Sequence, residues 1–283
     1  MASILHYLVV VVVALYLSAS VESCNSKPSK ADQCKNILNL SRRKRDLFTS
    51  ADWSSEETDS SHSPLNRTKR FSHNWMRDTP CDELQLEYHN QYLQLDPDVF
   101  LNPNHPITHV GYKNVVLRYG TPPIRVITHI EAEPHPGLLP CDRTNFGSEF
   151  DPRMTALGAR RNLGRGRNDE KGHIIASQIC GPIAWYNLAP QTPEVNRNVR
   201  NAGVYGWINL ENEIARWVNQ GCGRVEVEVY LNYAQLASTR PKGFKMCIAF
   251  KDLDNNVLRD NSRYFENGQD DRFNDDEDPS DEL

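Results

Sequence analysis

The sequence predicts an α+β fold, and three observations predict it. Two β-branched runs sit on either side of residues 120–123, a Val–charge alternation begins at residue 224, and one long apolar stripe of helical period precedes it. Strands flank a helix without the regular strand–helix alternation of a parallel sheet, which is the α+β pattern.

Each element has a local reason. Residues 114–119 (NVVLRY) and 124–130 (IRVITHI) are β-branched and are separated by Gly120-Thr121-Pro122-Pro123. A turn signal between two such runs predicts a hairpin. Trp207, Leu210, Ile214, Trp217 and Val218 recur at helical spacing between residues 205 and 219. Gly221 lies just beyond and suits a helix C-terminus. Residues 224–233 (RVEVEVYLNY) alternate as a strand with one buried face. After the turn residues Arg240-Pro241-Lys242-Gly243, residues 244–250 (FKMCIAF) supply its expected partner.

Composition bounds the function classes. The 283 residues are 39% hydrophobic and 24% charged, enough apolar content for a sizeable core. A wholly disordered chain, a collagen-like repeat and a polytopic membrane protein are excluded. Lys and Arg total 32 against 37 Asp and Glu, a net charge of -5. Nucleic-acid binding through bulk charge needs a basic chain, so any such partner must meet a local patch.

The flanks read as processing segments. Residues 8–17 (LVVVVVALYL) form an apolar run followed by small residues, the form of a signal peptide over 1–23 and too short to span a bilayer at about 20 residues. Residues 24–70 are polar and charged, and are expected to be a disordered propeptide. Two basic tetrads, residues 42–45 and 67–70, resemble sites cut by secretory-pathway convertases, and Asn39 and Asn66 begin glycosylation patterns. Residues 71–254 form the expected folded domain, and 255–283 an acidic C-terminal tail. The chain ends Ser280-Asp281-Glu282-Leu283, similar to the address read by the ER retrieval receptor. The expected destination is therefore extracellular, or alternatively the ER lumen. Seven cysteines fit an oxidising compartment. The five after residue 70 are odd in number, which leaves one free, intermolecular or paired to the propeptide. Cys24 and Cys34 are close enough in sequence to pair locally.

Chemistry concentrates between residues 168 and 211. There the chain offers His173 behind a glycine, Asn187 and Asn196 nine positions apart, and Glu211 on the predicted helix. A base, a hard-oxygen ligand and a carboxylate suit hydrolysis assisted by one hard cation, because Mg²⁺ prefers oxygen donors and keeps several waters.

In order, the chain reads Glu170-Lys171-Gly172-His173, Asn187-Leu188-Ala189-Pro190-Gln191, Asn196, and Trp207-Ile208-Asn209-Leu210-Glu211. This window resembles the DNA/RNA non-specific endonucleases of the ββα-metal (His-Me finger) superfamily, in the branch that includes bacterial secreted nuclease toxins. The resemblance implies a ββα-metal core with an antiparallel sheet and a long helix. It implies a secreted endonuclease that hydrolyses DNA and RNA without strong sequence preference, with Mg²⁺ or Mn²⁺ as cofactor. His173 would be the general base, Asn196 the metal ligand and Glu211 the holder of metal-bound water. Asn187 would join the catalytic set by shaping the site beside His173. Lys171 stands where many relatives have Arg, keeping the charge but losing bidentate phosphate geometry. Cys180 stands in a stretch where relatives often have glycines, which suits a disulfide partner, with Cys222 a candidate.

A second feature agrees. Arg143, Arg153, Arg160, Arg161, Arg165, Arg167 and Lys171 gather just before the histidine. Arg161, Arg165, Arg167 and Lys171 are the expected phosphate contacts, in a groove that binds backbone rather than bases. His105, His109, His129 and His135 match no zinc spacing and are expected to be ordinary core or surface residues. The alternative function is a non-catalytic matrix or interaction protein on a nuclease scaffold, its acidic tail binding Ca²⁺ loosely.

Overall fold

In chain order the strands are β1 (Leu93–Gln94), β2 (Ile107–Val115), β3 (Ile124–Ala132), β4 (Glu170–His173), β5 (Leu188–Gln191), β6 (Arg224–Asn232), β7 (Gly243–Lys251) and β8 (Val257–Glu266). The helices are α1 (Lys30–Thr49), α2 (Trp75–Asp78), α3 (Cys81–Gln91), α4 (Asp151–Ala156), α5 (Pro193–Arg197) and α6 (Trp207–Asn219). The computed structural model describes residues 29–49, 75–96, 105–141, 144–161, 168–197 and 206–268. The signal-peptide segment, the second basic tetrad and the Ser-Asp-Glu-Leu terminus lie outside them.

Six strands form one antiparallel sheet in the order β1-β2-β3-β6-β7-β8, and β4 pairs with β5 separately. The predicted hairpin is β2–β3, with Val115 opposite Ile124. It begins seven residues earlier than residue 114, because Ile107 and Val110 also face the core. The predicted alternation is β6, paired along its length with β7.

Strand periodicity divides the sheet into two buried faces. Val225, Val227, Val229 and Leu231 join Phe244, Met246, Ile248 and Phe250 on one face, packed with Trp207, Leu210, Ile214, Trp217 and Val218 of α6. Tyr230 and Cys247, one residue out of phase, face the other way and meet Met76, Leu84 and Tyr88 from α2 and α3. Within α6 the buried carboxylate of Glu213 is paired with Arg259 of β8, whose guanidinium also lies over Phe250.

Two boundaries differ from the sequence expectation. The acidic tail does not start at residue 255: Val257–Glu266 is a full strand on β7, with Phe265 buried. Its polar alternating side chains hid it, since its neighbour's backbone rather than apolar burial holds most of it. Nor is the whole of 24–70 without structure: α1 covers Lys30–Thr49, with Ile37 buried in the main core. Cys34 fixes that helix by a disulfide to Cys222, at the turn after α6. The odd cysteine is therefore the one paired to the leader, and neither a Cys24–Cys34 nor a Cys180–Cys222 bond forms. The other disulfides are Cys81–Cys247, which ties α3 to β7, and Cys141–Cys180. Among the described residues no helix is long and apolar enough to cross a membrane.

Candidate active site

His173 ends β4, and the two residues after it explain why the strand stops there. Ile174 and Ile175 are each 1% exposed, so both side chains are drawn into the core. The His173 ring packs on Phe146 with centroids 4.3 Å apart. Its Nε2 has no hydrogen-bond partner among the described residues. Burial pushes the imidazole pKa down to about 4, which keeps the ring neutral at physiological pH and able to accept a proton.

The residues around His173 hold its backbone. A Cβ at Gly172 would lie 2.2 Å from Cδ and Oε1 of Gln191, so only glycine lets that buried side chain cross the hairpin. Gln191 Nε2 reaches the His173 carbonyl at 3.4 Å. Asn187, fully buried, closes the turn beyond. Its Oδ1 accepts from Ile175 N–H at 2.7 Å, and its Nδ2 donates to the carbonyls of Ile175 at 2.9 Å and Pro182 at 3.0 Å. The amide is committed to backbone, a positioning geometry.

Behind the hairpin, α5 packs against both β4 and α6. Asn196 Nδ2 donates to Glu170 Oε2 at 2.8 Å, and Arg197 pairs with the same carboxylate. This bond fixes the amide's sense, with Nδ2 toward Glu170. On α6, Trp207 Nε1 donates to Glu211 Oε1 at 2.6 Å, holding that half-buried carboxylate. An amide oxygen and a fixed carboxylate are hard donors, so the residues fit a Mg²⁺- or Mn²⁺-class cation with water completing the shell. The β4 histidine and the helix-borne Asn196 and Glu211 are thus joined through the β4–α5–α6 packing.

The predicted phosphate contacts are differently placed. Lys171 Nζ is 2.7 Å from Asp151 Oδ1 and also bonds the Gly147 carbonyl. That contact holds the Asp151 carboxyl below its usual range. Arg161 is exposed, with Asp151 at 4.0 Å. Arg143, Arg165 and Arg167 lie outside the described residues. Arg153, in the same basic cluster, is bonded to the Arg125 carbonyl and lies 5.1 Å above the Trp185 ring.

Sequence reasoning missed the support beneath β4. Asp169 is fully buried and takes both Nε and an Nη of Arg240 at 2.7 Å. Arg240 also donates to the Asn267 carbonyl, and Asn267 bonds Thr192 N–H and the Pro190 and Pro241 carbonyls. Arg240 looked like a turn residue, and no local signal marks it as buried. His109 and the buried His129 lie together with His89, which the sequence did not single out.

A two-stranded hairpin ending in a half-buried histidine, backed by helices carrying Asn196 and Glu211, is the arrangement expected of a ββα-type core. Residues 144–251 match the family model described as DNA/RNA non-specific endonuclease. No curated protein matches the chain. Among solved structures, NucA from Streptococcus agalactiae with no metal bound is 16% identical, covering 64% of this chain and 78% of that one at a TM-score of 0.31. EndoG, in its complex with EndoGI, is 16% identical over 50% of this chain and 67% of that one, at a TM-score of 0.34. Sda1 nuclease with bound zinc ion is 13% identical over 67% of this chain and 94% of that one, at a TM-score of 0.36. These likenesses are distant.

Proposed function

We propose that the chain is a metal-dependent endonuclease that hydrolyses phosphodiester bonds of DNA and RNA with little sequence preference, using His173 as general base. The observation that carries this reading is His173 Nε2, which has no hydrogen-bond partner among the described residues, on the same hairpin whose Glu170 orients the Asn196 amide. Nε2 takes the proton from the attacking water as it adds to phosphorus, a role worth about 10²–10⁴-fold in rate. Asn196 Oδ1 and the Glu211 carboxylate are the groups that would hold the cation and its water. When bound, the cation supplies positive charge to the phosphate and the leaving 3′ oxygen, which leaves a 5′-phosphate. Exposed Arg161, with Arg165 and Arg167, binds backbone phosphates without reading bases. Lys171, held by Asp151, sets the edge of that surface.

The same reading places the protein in the secretory pathway. Three disulfides among the described residues fit an oxidising compartment, and the apolar run at 8–17 fits a signal peptide. A supercoiled-plasmid and single-stranded RNA assay with Mg²⁺, with Mn²⁺ and with EDTA tests the activity. Cleavage of both substrates that EDTA abolishes is expected; no cleavage with either cation would overturn the reading.

A further inference from the structure

On the sheet face opposite the main core, His109, Gly111, His129 and Glu131 fall together. His109 is opposite Glu131 and Gly111 is opposite His129 across β2–β3, and all four share one face. The register slips on both sides of this stretch, between Ile107 and His109 and between Gly111 and Tyr112. Such bulges re-aim side chains and are common beside functional sites. On the next strand Tyr230 lies opposite His129, and Glu228 opposite Glu131. Helix α3 covers this face, pinned by Cys81–Cys247, and sets His89 above it.

One ring nitrogen from each of His89, His109 and His129 lies within 4.8 Å of the other two. Gly111 makes the arrangement possible, because a Cβ there would fall 2.0 Å from His129 Cε1 and 2.3 Å from its Nδ1. His129 is 0% exposed, yet among the described residues its Nε2 has no hydrogen-bond partner, and neither does His109 Nε2. Buried ring nitrogens without a partner are costly, and a shared cation is a ligand that satisfies them together. Glu131 Oε1 is 2.5 Å from His89 Nε2, the carboxylate–imidazole contact that orients ligating histidines.

We propose that His89, His109 and His129 form a second metal site, for a zinc-class divalent cation, with Glu131 orienting His89. Imidazoles select borderline transition ions over Mg²⁺ and Ca²⁺, and three of them leave one tetrahedral position for water on the exposed His89 side. All three ligands precede residue 144, outside the segment that matches the nuclease family. The site clamps α3 onto the sheet and does not depend on the nuclease reading.

The test is equilibrium dialysis of the EDTA-stripped full chain against Zn²⁺ alone, followed by metal analysis and thermal melts. Wild type, His89→Ala, His109→Ala and Asn196→Ala are compared, with circular dichroism checking each fold. His89 is exposed, so its removal leaves the core packing intact. Wild type and Asn196→Ala are expected to hold a zinc ion that raises the melting temperature. Both histidine variants are expected to bind it at least about 100-fold more weakly, since even outer-shell changes cost 10–100-fold. Equal zinc binding by all four proteins, or none by wild type, would overturn the proposal.

Discussion

Asn187 grips Ile175 from both sides, its Oδ1 accepting from the N–H at 2.7 Å and its Nδ2 donating to the carbonyl at 2.9 Å. The two-point bond fixes the turn by which the chain leaves His173. Replacing Asn187 by Ala strands two buried backbone groups, at about 1–3 kcal/mol each. Asn187→Ala is expected to lower both the melting temperature and kcat, with KM little changed. A fall in kcat at unchanged stability would instead mean that the amide meets the reacting atoms.

Asp169 and Arg240 make a bidentate pair that is almost wholly out of water, with side-chain exposures of 0% and 4%. Removing one partner leaves the other charge buried and uncompensated, a loss of about 3–5 kcal/mol. Arg240→Met should therefore cost several times more stability than Arg161→Met at the exposed Asp151 contact. Urea unfolding of the two variants gives the comparison directly.

The buried His173 ring predicts a shifted pH profile. Burial lowers its folded pKa to about 4, against about 6.5 when unfolded. The unfolded chain therefore binds more protons between these values, so the group's contribution to stability is present above 6.5 and is lost as pH falls through 4. With His173 as the proposed general base, activity follows the same ring. The acid limb of kcat/KM is expected to turn down near pH 4, and an inflection at 6.5 would show a solvated imidazole.

Asn196 is the expected inner-shell ligand. Asn196→Ala should raise the Mg²⁺ concentration needed for half-maximal rate and lower the maximal rate, by at least about 10-fold, as weakened metal sites do. A plasmid-cleavage titration with Mg²⁺ measures both, and an unchanged curve would remove Asn196 from the metal site.

How far the sequence carried the fold depends on where each element's information lies. Helix α6 and strands β6 and β7 were legible because their apolar spacing is itself the burial pattern: Trp207, Leu210, Ile214 and Trp217 all end in the core. Strand β8 was not, because Arg259, Asp260, Asn261 and Arg263 look like solvated tail and pair through the backbone. Helix α1 escaped for a similar reason, since a disulfide and a few apolar contacts such as Ile37 hold it rather than a periodic face. At the candidate site, His173, Asn196 and Glu211 were singled out from ordered motifs as expected site residues. Arg240, Asn267 and His89 were not, because their roles come from register and helix placement across long sequence separations.

The central claim is that His173 removes the proton from the attacking water. The most direct measurement is the cleavage rate of supercoiled plasmid by His173→Ala in Mg²⁺, beside its melting curve. A rate reduced by about 10²–10⁴-fold or more at an unchanged fold is predicted; turnover near the wild-type rate would contradict the account.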